Sequence, residues 1–225
     1  MTTASQVKRA LKPLLLRHPD LALVNRTIVV KPVRHVLRGI LIDRTGNVDR
    51  FTPKWFAVHL FEQLHFTPLS WGSEIHRRSP SLWRWSNPQD LPLLFEKIET
   101  EALPQLQTIS TIDSFADFVS AHRFRHQLFE WPHRKVILDV AQGNLDSART
   151  ICARSINCRD EETYGRDEED RAQLRRLKQL CRLLDADDRA GMAKLLHEWE
   201  AQTVRNLKIE HLWAPTPFPL ETMGR

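Results

Sequence analysis

Thr27-Ile28-Val29-Val30-Lys31-Pro32-Val33-Arg34-His35-Val36-Leu37-Arg38-Gly39-Ile40-Leu41-Ile42-Asp43 is the stretch on which the fold turns. Its β-branched residues favour extended backbone, because a branched Cβ packs well on a pleated surface and is confined in a helix. Pro32 cannot donate to a strand ladder, so it limits a first strand at 27–30 and separates it from a second running from His35 to Asp43. Thr45-Gly46-Asn47 then signals a turn. Phe51 to Phe61, carrying Trp55, Phe56, Val58 and Leu60, reads as a third strand, with a short helix as its alternative. Leu69 to Ile75, after the break at Pro68, is expected to be a fourth. The connections are too short for helical crossovers, so the expectation is one small antiparallel sheet of about four strands within residues 25–76.

Helical spacing flanks this region on both sides. Upstream, Val7, Ala10, Leu11, Leu14 and Leu15 predict an N-terminal helix over 4–17 that dies at His18-Pro19-Asp20 and is strained or kinked by Pro13. Downstream, residues 77–92 read as a Pro- and Ser-rich loop, and helical spacing resumes from Leu93. Asp113 is placed to cap a helix containing Phe115, Phe118 and Val119. Pro132 suits a helix start, and Gly143-Asn144 ends that helix before a second one over 145–158. This hairpin resembles one unit of a tetratricopeptide-type repeat, but no second copy follows at a fixed period. An acidic run over 160–170 reads as an exposed link. Leu174, Leu177, Leu180, Cys181 and Leu184, then Met192, Leu195, Leu196, Trp199 and Val204, predict two further amphipathic helices. The fold class is therefore α+β, with an all-helical C-terminal half. The expected organisation is an α+β domain at 1–125, a helical region packed on it at 126–213, and a Pro-rich extended tail at 214–225.

With 41% apolar and 27% charged residues, the 225-residue chain can bury a core without staples. No apolar stretch reaches bilayer length, and the interrupted N-terminus is not a secretory signal, so a cytoplasmic protein with no membrane partner is expected. Cys152, Cys158 and Cys181 are odd in number and lack metal spacing, which predicts three reduced thiols in a reducing compartment. Residues 1–135 carry 19 basic and 12 acidic side chains, a net of +7, whereas 136–225 carry 14 and 16, a net of −2. A modest excess of this kind permits a nucleic-acid partner without requiring one.

Several chemistries are excluded. No two of the seven glycines lie closer than seven positions. A phosphate-binding G-x-x-x-x-G-K loop needs glycines five apart, and the dinucleotide fingerprint and the G-x-S-x-G elbow need them closer still. No cofactor is expected. His122 and His126 are four apart, so on a helix they share one face as a metal pair would, with His133, His59, His65 or His76 as a third ligand. No H-E-x-x-H pattern supports that pair, and ordinary surface or half-buried histidines explain them as well. Cys152 lies on the apolar face of its helix and reads as a small hydrophobe rather than a nucleophile.

The most distinctive stretch holds Trp71, His76, Arg77, Arg78, Trp83, Arg84 and Trp85. Interleaved aromatic and guanidinium groups can form a protein interface, where Trp and Arg are enriched, or can stack bases and hold phosphates. The same tryptophans could equally cover a bare face of the sheet.

Residues 25–39, with their Pro-Val-Arg-His-x-Leu-Arg-Gly core at 32–39, and the Leu103-Pro104-Gln105-Leu106 segment resemble an uncharacterised bacterial family of unknown function. The arrangement is also similar to small α+β domains found among bacterial immunity proteins. The resemblance spans roughly residues 5–120 and implies fold class alone. The reading of function is a cytosolic protein that binds rather than catalyses, with a protein partner met through Trp71, Arg77, Arg78, Trp83, Arg84 and Trp85. The alternatives are a nucleic-acid-associated protein using the basic N-terminal half, and a metal-dependent enzyme using His122 and His126.

Overall fold

The computed structural model describes residues 2–69, 71–77, 82–121, 132–159 and 168–222. The chain is mixed α+β. Helix α1 (Ala4–Arg17) precedes strands β1 (Leu21–Val24), β2 (Thr27–Val30), β3 (Val36–Arg44), β4 (Arg50–His59), β5 (Gly72–Glu74) and β6 (Trp83–Arg84). Helix α2 (Asp90–Lys97) runs through a π-helical turn (Ile98–Ala102) into α3 (Leu103–Thr108), and α4 covers Ile112–Ala121. Then come α5 (Pro132–Gln142), α6 (Leu145–Ile151) with a second π-helical turn (Cys152–Ile156), α7 (Glu168–Asp185), α8 (Arg189–Leu207) and α9 (Pro219–Thr222). No helix among the described residues is long and apolar enough to cross a membrane.

The sheet is antiparallel, in the order β1-β2-β3-β4-β5, with β6 also paired to β4. Six strands spanning 21–84 therefore replace the four expected within 25–76, and helices are not confined to the C-terminal half. Two strands escaped the sequence reading for physical reasons. β1 is only four residues long and is joined to β2 by Asn25-Arg26, with Asn25 in the left-handed region at φ 57°. Asn tolerates that conformation, but Asn-Arg is a weaker hairpin signal than Asn-Gly. β6 is two residues within the segment read as loop, held by pairing with Arg50 and Phe51.

The chain divides into two compact units. The first comprises residues 1–59, 66–115 and 204–214, and the second comprises 60–65, 116–203 and 215–225. In the first unit the β3–β4 register sets Ile40 opposite Trp55, Ile42 opposite Pro53 and Arg44 opposite Phe51. Directly opposed residues share a face. That face meets Val7, Leu11 and Leu14 of α1 and Leu94, Ile98, Leu103 and Leu106 of the α2–α3 run in one apolar core. Gly39 in β3 lets β2 and Phe56 approach, since a Cβ there would stand 2.5 Å from the Ile28 carbonyl oxygen.

One charge is buried beside this core. Arg38, 6% exposed, donates from one terminal nitrogen to the Leu106 carbonyl (3.3 Å) and from the other to the Pro32 carbonyl (3.2 Å). Burial lowers its pKa from the ordinary guanidinium value, and Arg34 acts in the same direction. The C-terminal end of α3, where the Leu106 carbonyl also accepts the Ile109 amide, supplies compensating partial negative charge. Arg38 therefore fastens α3 to the sheet.

The second unit is helical. Gly143, at φ 82°, turns α5 into α6. Buried Asp139 accepts from the Ser147 hydroxyl (2.7 Å) and from the Lys135 ammonium, tying the hairpin together. Phe61 packs edge-on against Phe218, and the Leu64 amide donates to Thr203 Oγ1 (2.8 Å). Cys152 and Cys181 form a disulfide, with Cys158 exposed and free. The expectation of three reduced thiols is corrected accordingly. Both paired cysteines sit on the buried faces of their helical segments, and packing brings them together. An odd count excludes only complete pairing.

Candidate functional site

The segment singled out from its tryptophans and arginines folds around one carboxylate. Asp90 opens α2 at full burial. It accepts the Arg84 backbone amide (2.6 Å) and the Asn87 side-chain amide (2.7 Å), and it pairs with the Arg77 guanidinium at 3.1 Å. An aspartate in the first turn also gains from the partial positive charge of the helix end. Arg77 lies over the Trp83 ring, 5.9 Å from its centroid.

The tryptophans of this segment are largely internal. Trp83 is 3% exposed, belongs to the first unit's core and donates its indole N–H to the Ile75 carbonyl (2.8 Å). Trp71 is 1% exposed and meets His59 and Phe115 with ring centroids 5.3 and 5.2 Å away. Trp85 is half-buried, packs tilted against Phe51 with ring centroids 4.1 Å apart and donates to Thr2 Oγ1 (3.1 Å), just ahead of α1. The Arg84 side chain is exposed. Arg78 lies outside the described residues. The structure thus joins Arg77 and the Arg84 backbone through Asp90, lays Arg77 over Trp83, sets Trp71 against a different group, and leaves the Arg84 side chain exposed and Trp85 half-buried. Asp90 was missed from sequence, although an Asp just after Pro88 and before a helical pattern is a start signal.

His122 and His126 also lie outside the described residues. Of the third-ligand candidates, His59 is buried between aromatic rings and His133 stands 3.3 Å from buried Glu62. His65 and His76 are exposed beside Glu169 and Glu74. Among the described residues, no three His, Cys, Asp or Glu side chains group as metal ligands would. Buried Glu62 is further approached by Gln173 Nε2 (3.5 Å) and Arg134 Nε (3.7 Å).

Two open surfaces among the described residues are lined by several cations. On the outer side of α1, Ser5, Lys8, Arg9, Lys12, Leu15 and Leu16 line a groove of about 480 Å³. Val7, Leu11 and Leu14 occupy the buried side of the same helix, and Leu16 is 75% exposed. The helix contains no acidic residue, and among the described residues no carboxylate pairs with Lys8, Arg9 or Lys12. Pro13 supplies no N–H, so the Arg9 carbonyl lacks its helical donor. The second surface lies in the other unit, where Asn157, Arg175, Lys178 and Arg182 line a groove of about 400 Å³. In the sequence both helices are legible from the apolar spacing of their buried faces. The cationic positions at fixed offsets on the opposite faces were the available signal.

No family model, no curated protein and no solved structure matches this chain.

Proposed function

We propose that this chain works by binding and that its partner is a protein presenting an acidic, partly apolar segment to the outer face of α1. The observation that carries this reading is Leu16, 75% exposed, beside half-buried Leu15 in a groove also lined by three cations. An apolar side chain left in water gains nothing for the fold. Set among Lys8, Arg9 and Lys12, it suits a partner that supplies an apolar anchor flanked by carboxylates. Nucleic acid is the poorer fit, because among the described residues no aromatic ring lines this groove for stacking, and the indoles of Trp71 and Trp83 are internal.

The test is a photo-reactive amino acid placed at Leu16 in the cell of origin, with a second at exposed Val48 as control. A discrete protein adduct is expected from position 16 and not from position 48. Purified, that protein should bind the unmodified chain and lose roughly tenfold or more in affinity on Lys8→Glu with Lys12→Glu. An adduct pattern identical at both positions would remove the reading.

A further inference from the structure

Helix α7 divides electrostatically along its length. Its first turns are self-neutralised: Arg171 and Arg175 pair with Glu168 at 3.1 and 2.5 Å, and Arg176 pairs with Glu169 at 2.9 Å. The two Glu168 contacts, Arg175 the larger, hold its carboxyl below the ordinary range. Farther along, Lys178 and Arg182 have no acidic partner among the described residues. Arg175, Lys178 and Arg182 fall at i, i+3 and i+7, so they share one face and spread over about 10 Å of helix axis. Opposite them stands exposed Asn157, directly after the π-helical turn Cys152–Ile156. The groove between is about 400 Å³, within the range of small-ligand sites, and among the described residues no carboxylate lines it. Its walls are fixed, because the Cys152–Cys181 disulfide joins the π-helical turn to α7 between Lys178 and Arg182. π-Helical turns are rare and recur beside functional sites.

From this arrangement we infer that the groove binds a small ligand carrying at least two phosphate groups. A single phosphate would engage one end of the cationic row. A row about 10 Å long suits anionic groups spaced along a chain. Arg182 offers a planar fork for a terminal phosphate, Lys178 a point charge for the next, and Asn157 an amide donor from the facing wall. Arg175, shared with Glu168, forms the outer end of the row. Limited volume favours a free polyphosphate group over a nucleic-acid duplex. This inference does not depend on the reading of α1, which belongs to the other unit.

Calorimetric titration of the oxidised full chain with inorganic triphosphate, at fixed ionic strength, tests it. One saturable site per chain is expected. Lys178→Ala and Arg182→Ala should each weaken it roughly tenfold or more, as loss of a charge-assisted hydrogen bond does. Arg176→Ala, which removes a cation paired elsewhere on the helix, should change it by less than about threefold. Melting temperatures of all three variants should stay near the parent value, so a loss of binding is not a loss of fold. A single-stranded oligonucleotide forms a second arm. If it binds more tightly than triphosphate through the same residues, the phosphates belong to nucleic acid. A tricarboxylate binding as tightly as triphosphate, an Arg176→Ala loss equal to the others, or no saturable binding would each overturn the inference. Loss of the position-16 adduct would leave it standing, so the two proposals fail separately.

Discussion

Asp90 shows how a fully buried charge can be made safe by a few short contacts. Its carboxylate accepts two hydrogen bonds and one guanidinium, and removing it would take a buried partner from all three donors. Asp90→Ala should therefore cost about 3–5 kcal/mol in urea unfolding, as breaking a buried pair from one side does. Arg77→Ala should cost less, because the carboxylate keeps its other two donors and the arginine is 18% exposed. A cost for Asp90→Ala of only about 0.5 kcal/mol, as at ordinary surface sites, would contradict this account of the segment. The tryptophans and arginines of 71–85 were legible as unusual, but their direction was not. Composition cannot tell an indole that faces Phe51 from one that faces water. The carboxylate that orients Arg77 and Arg84 sits six or more positions away in sequence.

At the scale of elements, hydrophobic period located well what packing merely confirms. The apolar and β-branched runs of β3 and β4 and the apolar spacing of α1, α7 and α8 are all present in the chain. Elements held by a neighbour rather than by their own pattern were not. β6 exists because β4 offers it an edge, and the reciprocal Thr111–Ser114 cap on α4 takes the place expected of Asp113. The disulfide belongs to the same class, since Cys152 and Cys181 are 29 positions apart and meet only when α7 packs on the π-helical turn. Thiol titration of the denatured, unreduced protein should find one thiol, that of Cys158, and a count of three would refute the pairing. Cys152→Ser with Cys181→Ser should destabilise by about 3–4 kcal/mol, the loop-closure value for this separation.

For the molecule as a whole, the disulfide also removes a premise. A reducing compartment was expected because the cysteines were expected to be free, and protein disulfides persist chiefly in oxidising surroundings. The charge asymmetry of the sequence resolves into local surfaces. The excess of the N-terminal half includes the three cations of the α1 groove, while the net-negative C-terminal half still carries the cationic groove of α7. Net charge over half a chain could indicate neither. On the proposed reading, the outer face of α1 serves a partner and not the fold. The most direct measurement is the paired effect of Lys12→Glu with Leu16→Ser on unfolding free energy and on affinity for the protein captured at position 16. Stability should stay within about 0.5 kcal/mol of the parent while affinity falls roughly tenfold or more. A large loss of stability, or a partner bound as tightly as before, would contradict it.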